Sequence, residues 1–253
     1  MPLVSSPAIV LGAVRYGESS KIVRLATRAH GLQSAMAKGA LRPRSRFGAA
    51  LQLLSEGTAQ YVAREARELH TLTAFDVQHV RAGLASHVGR YASAAALGEL
   101  MLRLASGEPD HDAFDLLSSS IALLEAVPGE AVGVVGVRAL WRLAASLGFA
   151  PALGTCARDA GPVPGDGPVA FSAADGGVLC RACARERRTI ELPADARATL
   201  VQLLDPGADV PWLDQRHLAA HRRLLARWVR THVAEERELP ALEFWLHEGA
   251  ARP

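Results

Sequence analysis

Residues 7–80 break into short apolar runs, each closed off by glycine or a polar cluster: Ala8-Ile9-Val10-Leu11, Lys21 to Thr27, Leu32 to Ala37, Ala49 to Leu54, Thr58 to Ala63 and Leu69 to Thr73. Runs of this length and bounding are the mark of strands. Tyr16-Gly17-Glu18 reads as a turn. Arg28-Ala29-His30-Gly31 reads as a hairpin loop with glycine at its left-handed position. About five strands in so short a stretch predict a small closed barrel, because an open sheet of that size leaves unpaired edges.

The same stretch holds the molecule's positive charge. Arg15 to Phe47 carries eight basic residues, Arg15, Lys21, Arg24, Arg28, Lys38, Arg42, Arg44 and Arg46, against the single acid Glu18, while the whole chain has a formal charge of only +2. Residues 1–80 carry ten Lys/Arg and five Asp/Glu, a net +5; residues 81–150 and 191–253 are each −2. A localised cationic field is what a polyanion backbone requires, since neutralised phosphates release condensed counterions. A solvated arginine-rich face is the competing reading. Lys21, Arg24, Arg28, Lys38, Arg42, Arg44 and Arg46 are therefore the candidate DNA-binding set. Tyr16, Phe47 and Tyr61 are the aromatics that could stack bases, each with a core reading as well, and core is favoured for Tyr61.

From about Val77 the period becomes helical. Helices are expected over Ala82–Ala105, from an Asp110 or Asp112 cap to Pro128, over Ala131–Leu147, over Pro193–Leu204 and over Asp214–Ala234. The last carries His221 on an apolar stripe, where a core histidine is expected. Its arginines, Arg222, Arg223, Arg227 and Arg230 among them, are balanced in charge by Glu235, Glu236 and Glu238, so a solvated face is the first reading and a DNA-facing one the second. The division expected is a barrel over 1–80, a helical domain over 81–150 and 190–245, and a zinc-finger-like insert over 151–189. No apolar run approaches 18 residues, and the first residues lack a signal-peptide pattern. An odd count of three cysteines points to a reducing compartment, the cytoplasm.

Two of those cysteines stand in Gly176-Gly177-Val178-Leu179-Cys180-Arg181-Ala182-Cys183, a glycine turn presenting two thiolates before a helix. Cys156 is followed three residues on by Asp159, which occupies the register of a second C-x-x-C. Cys156, Asp159, Cys180 and Cys183 thus form a candidate structural zinc site. A histidine from elsewhere, a water, or a site without metal are the alternatives for the fourth position. A catalytic zinc would need a general base such as the Glu of a His-x-Glu motif, which the chain lacks. Asp110, His111 and Asp112 are the only compact Asp/His cluster and would suit a metal-dependent phosphoesterase, but they precede a helix, where capping residues belong. No P-loop is present.

Ala8-Ile9-Val10-Leu11, Tyr16-Gly17-Glu18-Ser19, Thr27-Arg28-Ala29-His30-Gly31 and Ala37-Lys38-Gly39 with Arg42 and Ser45-Arg46-Phe47-Gly48 together resemble the start of the RecO family of bacterial DNA repair proteins. The resemblance extends in order through the helical middle and the cysteine cluster. It implies an α+β fold: an N-terminal OB-type barrel, a helical domain and an inserted treble-clef-like zinc module. It further implies a non-catalytic recombination mediator that binds single- and double-stranded DNA and anneals complementary strands. Such a protein helps load a recombinase with a RecR-type ring protein on strands coated by single-strand-binding protein. Asp159 departs from the family's four-cysteine pattern. An adaptor whose basic face docks an acidic protein rather than DNA is the alternative.

Overall fold

The computed structural model of the chain describes residues 2–63, 69–233 and 238–248. Two compact units divide it, Met1–Val127 and Pro128–Pro253. The first opens with strands β1 (Leu3–Tyr16), β2 (Ser20–Thr27), β3 (Gly31–Ala37), β4 (Glu56–Val62) and β5 (Leu69–His79). They close into a barrel of order β1-β2-β3-β5-β4, with β4 returning to β1. Every pair is antiparallel except β3–β5, which run parallel through Ser34↔Leu69, Ala35↔His70 and Met36↔Thr71. This five-stranded closed topology is that of an OB-type barrel.

Strict alternation in β4 turns Gly57, Ala59 and Tyr61 inward. Ala8, Ala35, Ala37 and Ala59 keep the bore narrow, and Val10, Val23, Leu25, Leu72 and Phe75 fill it. Tyr61 belongs to this core, as its sequence setting suggests, with the His70 ring stacked on it at 5.4 Å. Phe47 is also core, at 2% exposure, so it offers no stacking face.

The run Ala49 to Leu54 is not a strand. Residues 38–55 form a succession of turns in which Phe47, Leu51 and Leu54 are buried and the basic residues are exposed. The run has no β-branched residue, so nothing local favours extension. Backbone bonds from Leu54 N to Val10 O (2.8 Å) and from Val10 N to Ser55 O (2.9 Å) fasten its end to β1.

Two helices complete this unit, α1 (Val88–Leu104) and α2 (His111–Ala126). The helix expected from Ala82 starts later, because His87 is extended and its Nδ1 accepts from Gly89 N at 3.1 Å, capping α1; a short 3-10 turn covers Ala82–Ser86. Val88 and Tyr91 are exposed, whereas Ala92 to Gly98 are all buried. An alanine-rich helix can bury almost any face, so large residues alone mislead about its orientation. Asp110 caps α2, its Oδ1 accepting from Ala113 N at 2.9 Å.

One end of the barrel is fixed to α2 and the segment before it. Arg28 forms a bidentate pair with Asp115, both contacts 2.8 Å. Arg81 pairs with Glu56 and, at 3.6 Å, with Glu125, while Ser118 Oγ donates to Glu56 at 2.7 Å. At the β2–β3 turn Gly31 has φ +64, and a Cβ there would sit 2.1 Å from Gly107 O and 2.5 Å from Glu108 O. Both the dihedral and the contact demand glycine.

The second unit contains α3 (Val132–Ala144), strands β6 (Val169–Ser172) and β7 (Gly177–Leu179), the single turn α4 (Arg181–Ala184), β8 (Ile190–Leu192), and helices α5 (Ala194–Leu204), α6 (Gln215–His232) and α7 (Pro240–His247). Strands β7-β6-β8 make a small sheet. Trp228 on α6 joins the layers: it lies 6.0 Å from Trp141 of α3 and 5.6 Å from Phe171 of β6, and its Nε1 donates to Phe149 O at 2.9 Å. The stretch Gly129–Phe149 is long and apolar enough to cross a membrane, but more than half of it is buried among the other elements, as in a core helix. Helix α7 was not anticipated; Pro240 at its first turn and the buried Leu242 and Trp245 are its signals. The expected end of α6 at Ala234, and the acids Glu235 and Glu236, lie outside the described residues.

His221 sits 3% exposed on the inner face of α6, a core histidine as its stripe predicts. Burial pushes its pKa down to about 4; His217 adds to the effect and Asp195 opposes it.

Gly31→Ala is expected to cost about 2–4 kcal/mol in urea unfolding, since the left-handed backbone and the clash act together. His221 is a base whose folded pKa lies below its unfolded value of 6.5. The unfolded state therefore binds the extra proton, and stability present above pH 6.5 is lost as pH falls toward 4, by about 3 kcal/mol at the acid limit. Urea melts across that window should be flatter for His221→Gln than for the unaltered protein.

Candidate nucleic-acid interface and metal centre

Away from the end held by α2, the β1–β2 hairpin runs past the barrel wall. Register pairs Gly12 with Arg24, Val14 with Ile22, Arg15 with Lys21 and Tyr16 with Ser20, and residues 13–16 are all exposed. Arg15 folds back on the turn, donating to Gly17 O at 3.2 Å and Glu18 O at 3.4 Å. The loop after β3 lies against this turn through Leu41 N to Ser19 O, 2.9 Å, and its own turns close through Arg42 N to Gly39 O and Ser45 N to Arg42 O.

Lys38, Arg42, Arg44 and Arg46 are exposed along that loop, with the Arg46 guanidinium 5.1 Å from the centre of the Phe47 ring. Arg24 is exposed on the outer face, and Lys21, three residues before it on the alternate face of β2, is half-buried. Among the described residues no ion pair engages Lys21, Arg24, Lys38, Arg42, Arg44 or Arg46. Arg28 stands apart from them: Asp115 neutralises it at the opposite end of β2, raising the arginine's pKa and lowering its own through their shared hydrogen bonds. Six of the seven candidate cations thus stand outside ion pairs among the described residues, four of them on the loop after β3 and two on β2.

On α6 the basic residues divide. Arg222 is buried over the Trp245 ring, with Glu248 at 3.3 Å, and Arg230 pairs with Glu243 at 2.6 Å. Arg216, Arg223 and Arg227 are exposed. Asp110 is engaged in capping α2, so the Asp110-His111-Asp112 cluster serves a helix start.

The three cysteines and Asp159 converge, with one donor atom from each lying within 4.8 Å of the others. Cys156 and Asp159 come from a tight loop closed by Cys156 N to Gly161 O and Ala160 N to Cys156 O, both 2.9 Å. Ala157 N to Val178 O, 2.8 Å, fixes that loop to β7. Gly177 permits the approach of Ala152, whose O would lie 2.2 Å from any Cβ there. Cys180 caps α4, its sulfur accepting from Cys183 N at 3.4 Å.

Asp159 is oriented by its own turn. Oδ1 accepts from Gly161 N at 2.9 Å, an Asx turn legible in Asp159-Ala160-Gly161, which leaves Oδ2 at 3.4 Å from Cys180 Sγ and 3.3 Å from Cys183 Sγ. The Cys156 thiol, then Gly161 N and the other two thiols, hold the Asp159 carboxyl well below the usual range. The carboxylate in turn pushes the Cys183 thiol up to about 12. Burial opposes ionisation of Cys156, but the backbone amides of Cys180, Asp159 and Arg158 outweigh it and bring that thiol down. Tetrahedral zinc, bound at about 2.3 Å to sulfur and 2.0–2.2 Å to oxygen, implies sulfur–oxygen edges of roughly 3.5 Å. The observed spacings match that, so the donor set fits such an ion. Around it, Arg158 and Arg187 converge on Asp175 at 3.7 and 3.3 Å.

Comparison with known proteins agrees with both halves. The family model for the N-terminal part of recombination protein O matches residues 1–81, and that for its C-terminal part matches residues 86–240. The chain is 35% identical to the DNA repair protein RecO of Rubrobacter xylanophilus, covering 92% of each chain. It is 37% identical to that of Anaeromyxobacter dehalogenans strain 2CP-C over 82% of this chain and 81% of the relative. With that of Pelotomaculum thermopropionicum it shares 31% identity over 99% and 96%. Matched by the two family models over most of its length and by these relatives, the chain belongs to the RecO family of recombination and DNA repair proteins.

Proposed function

We propose that the protein is a non-catalytic mediator of recombination that binds single- and double-stranded DNA along the barrel rim and anneals complementary strands. In this reading it assists recombinase loading together with a RecR-type ring protein and single-strand-binding protein, on the nucleoid in the reducing interior of the cell. One observation carries the proposal: Lys38, Arg42, Arg44 and Arg46 stand exposed on one loop, with Lys21 and Arg24 on β2 of the same barrel and no acid of the protein's own paired to any of the six among the described residues. Unpaired cations so close together have a self-repulsion that a phosphate backbone relieves. Contacts of this kind position a strand without reading its sequence. Neutralising two strands on one surface lowers the repulsion that opposes their encounter, which is the physical basis of annealing.

In the second unit, Cys156, Cys180 and Cys183 would hold a structural zinc through sulfur, with Asp159 Oδ2 completing the set. Such an ion supplies folding energy by cross-linking the loop, β7 and α4. The donor atoms would have to release thiol protons on loading, so metal affinity should fall as pH falls.

Binding of a single strand through about five phosphates should give a log–log salt slope near −3.5. Neutralising three cations in the full-length triple variant Lys38→Gln, Arg42→Gln, Arg44→Gln should reduce the slope by roughly 2 and weaken binding on the order of 10- to 100-fold. An unchanged slope and affinity in fluorescence anisotropy would remove the DNA-binding assignment and favour an acidic protein as the rim's partner. For the metal centre, elemental analysis should find one zinc per chain, and a chelator should lower the melting temperature. Asp159→Cys should retain zinc against a competing chelator on the order of 10-fold better, as thiolate is the softer donor.

A further inference from the structure

A cavity of about 410 Å³ lies on the rim between the β1–β2 turn and the loop after β3, lined by Tyr16, Glu18, Met36, Lys38, Gly39 and Arg42 among others. We propose that it takes one unstacked nucleotide of a single strand, the base against Tyr16 and Met36 and the adjoining phosphate between Lys38 and Arg42. This rests on the reading of the rim as a DNA surface and adds to it a subsite that distinguishes single strands from duplex.

The pleat brings these residues to one face. Val14 pairs with Ile22, and Ile22 with Met36, so Tyr16 two residues beyond Val14 and Lys38 two residues beyond Met36 continue the same outer surface. The Tyr16 side belongs to an exposed hairpin end; the residue is 51% exposed, and no ring contact among the described residues engages it. Met36 adds a polarisable thioether, a good neighbour for a π system. The Arg42 side chain crosses Gly39, its Cδ 3.5 Å from where a Cβ would stand, which keeps the guanidinium beside the cavity.

The frame is preformed. Arg15 clamps the turn carbonyls of Gly17 and Glu18, and the Leu41 N to Ser19 O bond sets the spacing between turn and loop. Glu18 repels a phosphate from the turn side, so the phosphate is directed to Lys38 and Arg42 and the base to Tyr16. A duplex keeps its bases stacked and paired, so it gains nothing from the cavity.

The test uses full-length protein carrying Tyr16→Ala or Tyr16→Phe, and three probes: a single strand of about 15 nucleotides, an abasic strand of the same length, and a duplex. Tyr16→Ala should weaken binding of the base-bearing strand roughly 5- to 100-fold with its salt slope unchanged. Abasic and duplex binding should stay at the level of the unaltered protein, and Tyr16→Phe should restore single-strand affinity. If Tyr16→Ala binds the base-bearing strand normally while the triple Lys38/Arg42/Arg44 variant does not, the subsite is wrong and the DNA reading survives. Equal losses on all three probes would also overturn the subsite, by making Tyr16 a structural support. Normal binding by the triple variant as well would overturn both.

Discussion

Closure of the barrel through the parallel β3–β5 pair governs what the first unit can present. Because β5 occupies the place beside β3, the chain leaving Ala37 must pass around the end of β5 before it enters β4 at Glu56. No tight turn can do this, so residues 38–55 are obligatorily a long connection. Loop length itself costs little entropy once the ends are set, and Phe47, Leu51 and Leu54 fasten this one by entering the core. The apolar half of the connection therefore seals the barrel, and the basic half is left on the outside. The charge concentration at the rim is a consequence of strand order as much as of composition.

The parts of this architecture that were legible in the chain were those set by local periodicity. Lys21 to Thr27 and Leu32 to Ala37 read as strands because alternation and a glycine turn act within a few residues, and they are β2 and β3. Ala49 to Leu54 differs from a strand because two of its leucines, Leu51 and Leu54, are buried by turns rather than by a pleat while Leu53 is left exposed, a matter decided by Val10 some forty residues earlier. The buried face of α1 is not legible in the sequence, because six consecutive small or apolar residues from Ala92 to Leu97 give no contrast. Arg28 looks like any other cation of its run; its partner Asp115 is 87 residues away and nothing local announces it. The cysteine cluster was legible through spacing, and Asp159 through its register with Cys156 together with the glycine two residues on.

The second unit solves a different problem, that of holding an irregular segment rich in glycine and proline. Its short strands bury little on their own, and they are attached to the helices chiefly through Phe171 against Trp228, whose indole also binds Phe149 O. The four converging donors lie in the same segment, where loop, hairpin and α4 meet. A hard carboxylate among three thiol sulfurs would grip a soft ion less tightly than four sulfurs. Preorganisation would offset part of that, since Gly161 N already holds one Asp159 oxygen and leaves the other toward the sulfurs.

The Arg28–Asp115 pair and the close seat of Gly31 against Gly107 act at one end of β2 and β3, while Tyr16, Lys38 and Arg42 lie at the other, a strand's length of about 25 Å away. The contacts that hold the barrel to α2 and the surface that carries the unpaired cations are thus borne by opposite ends of the same two strands, so a residue of one can be exchanged without replacing a residue of the other.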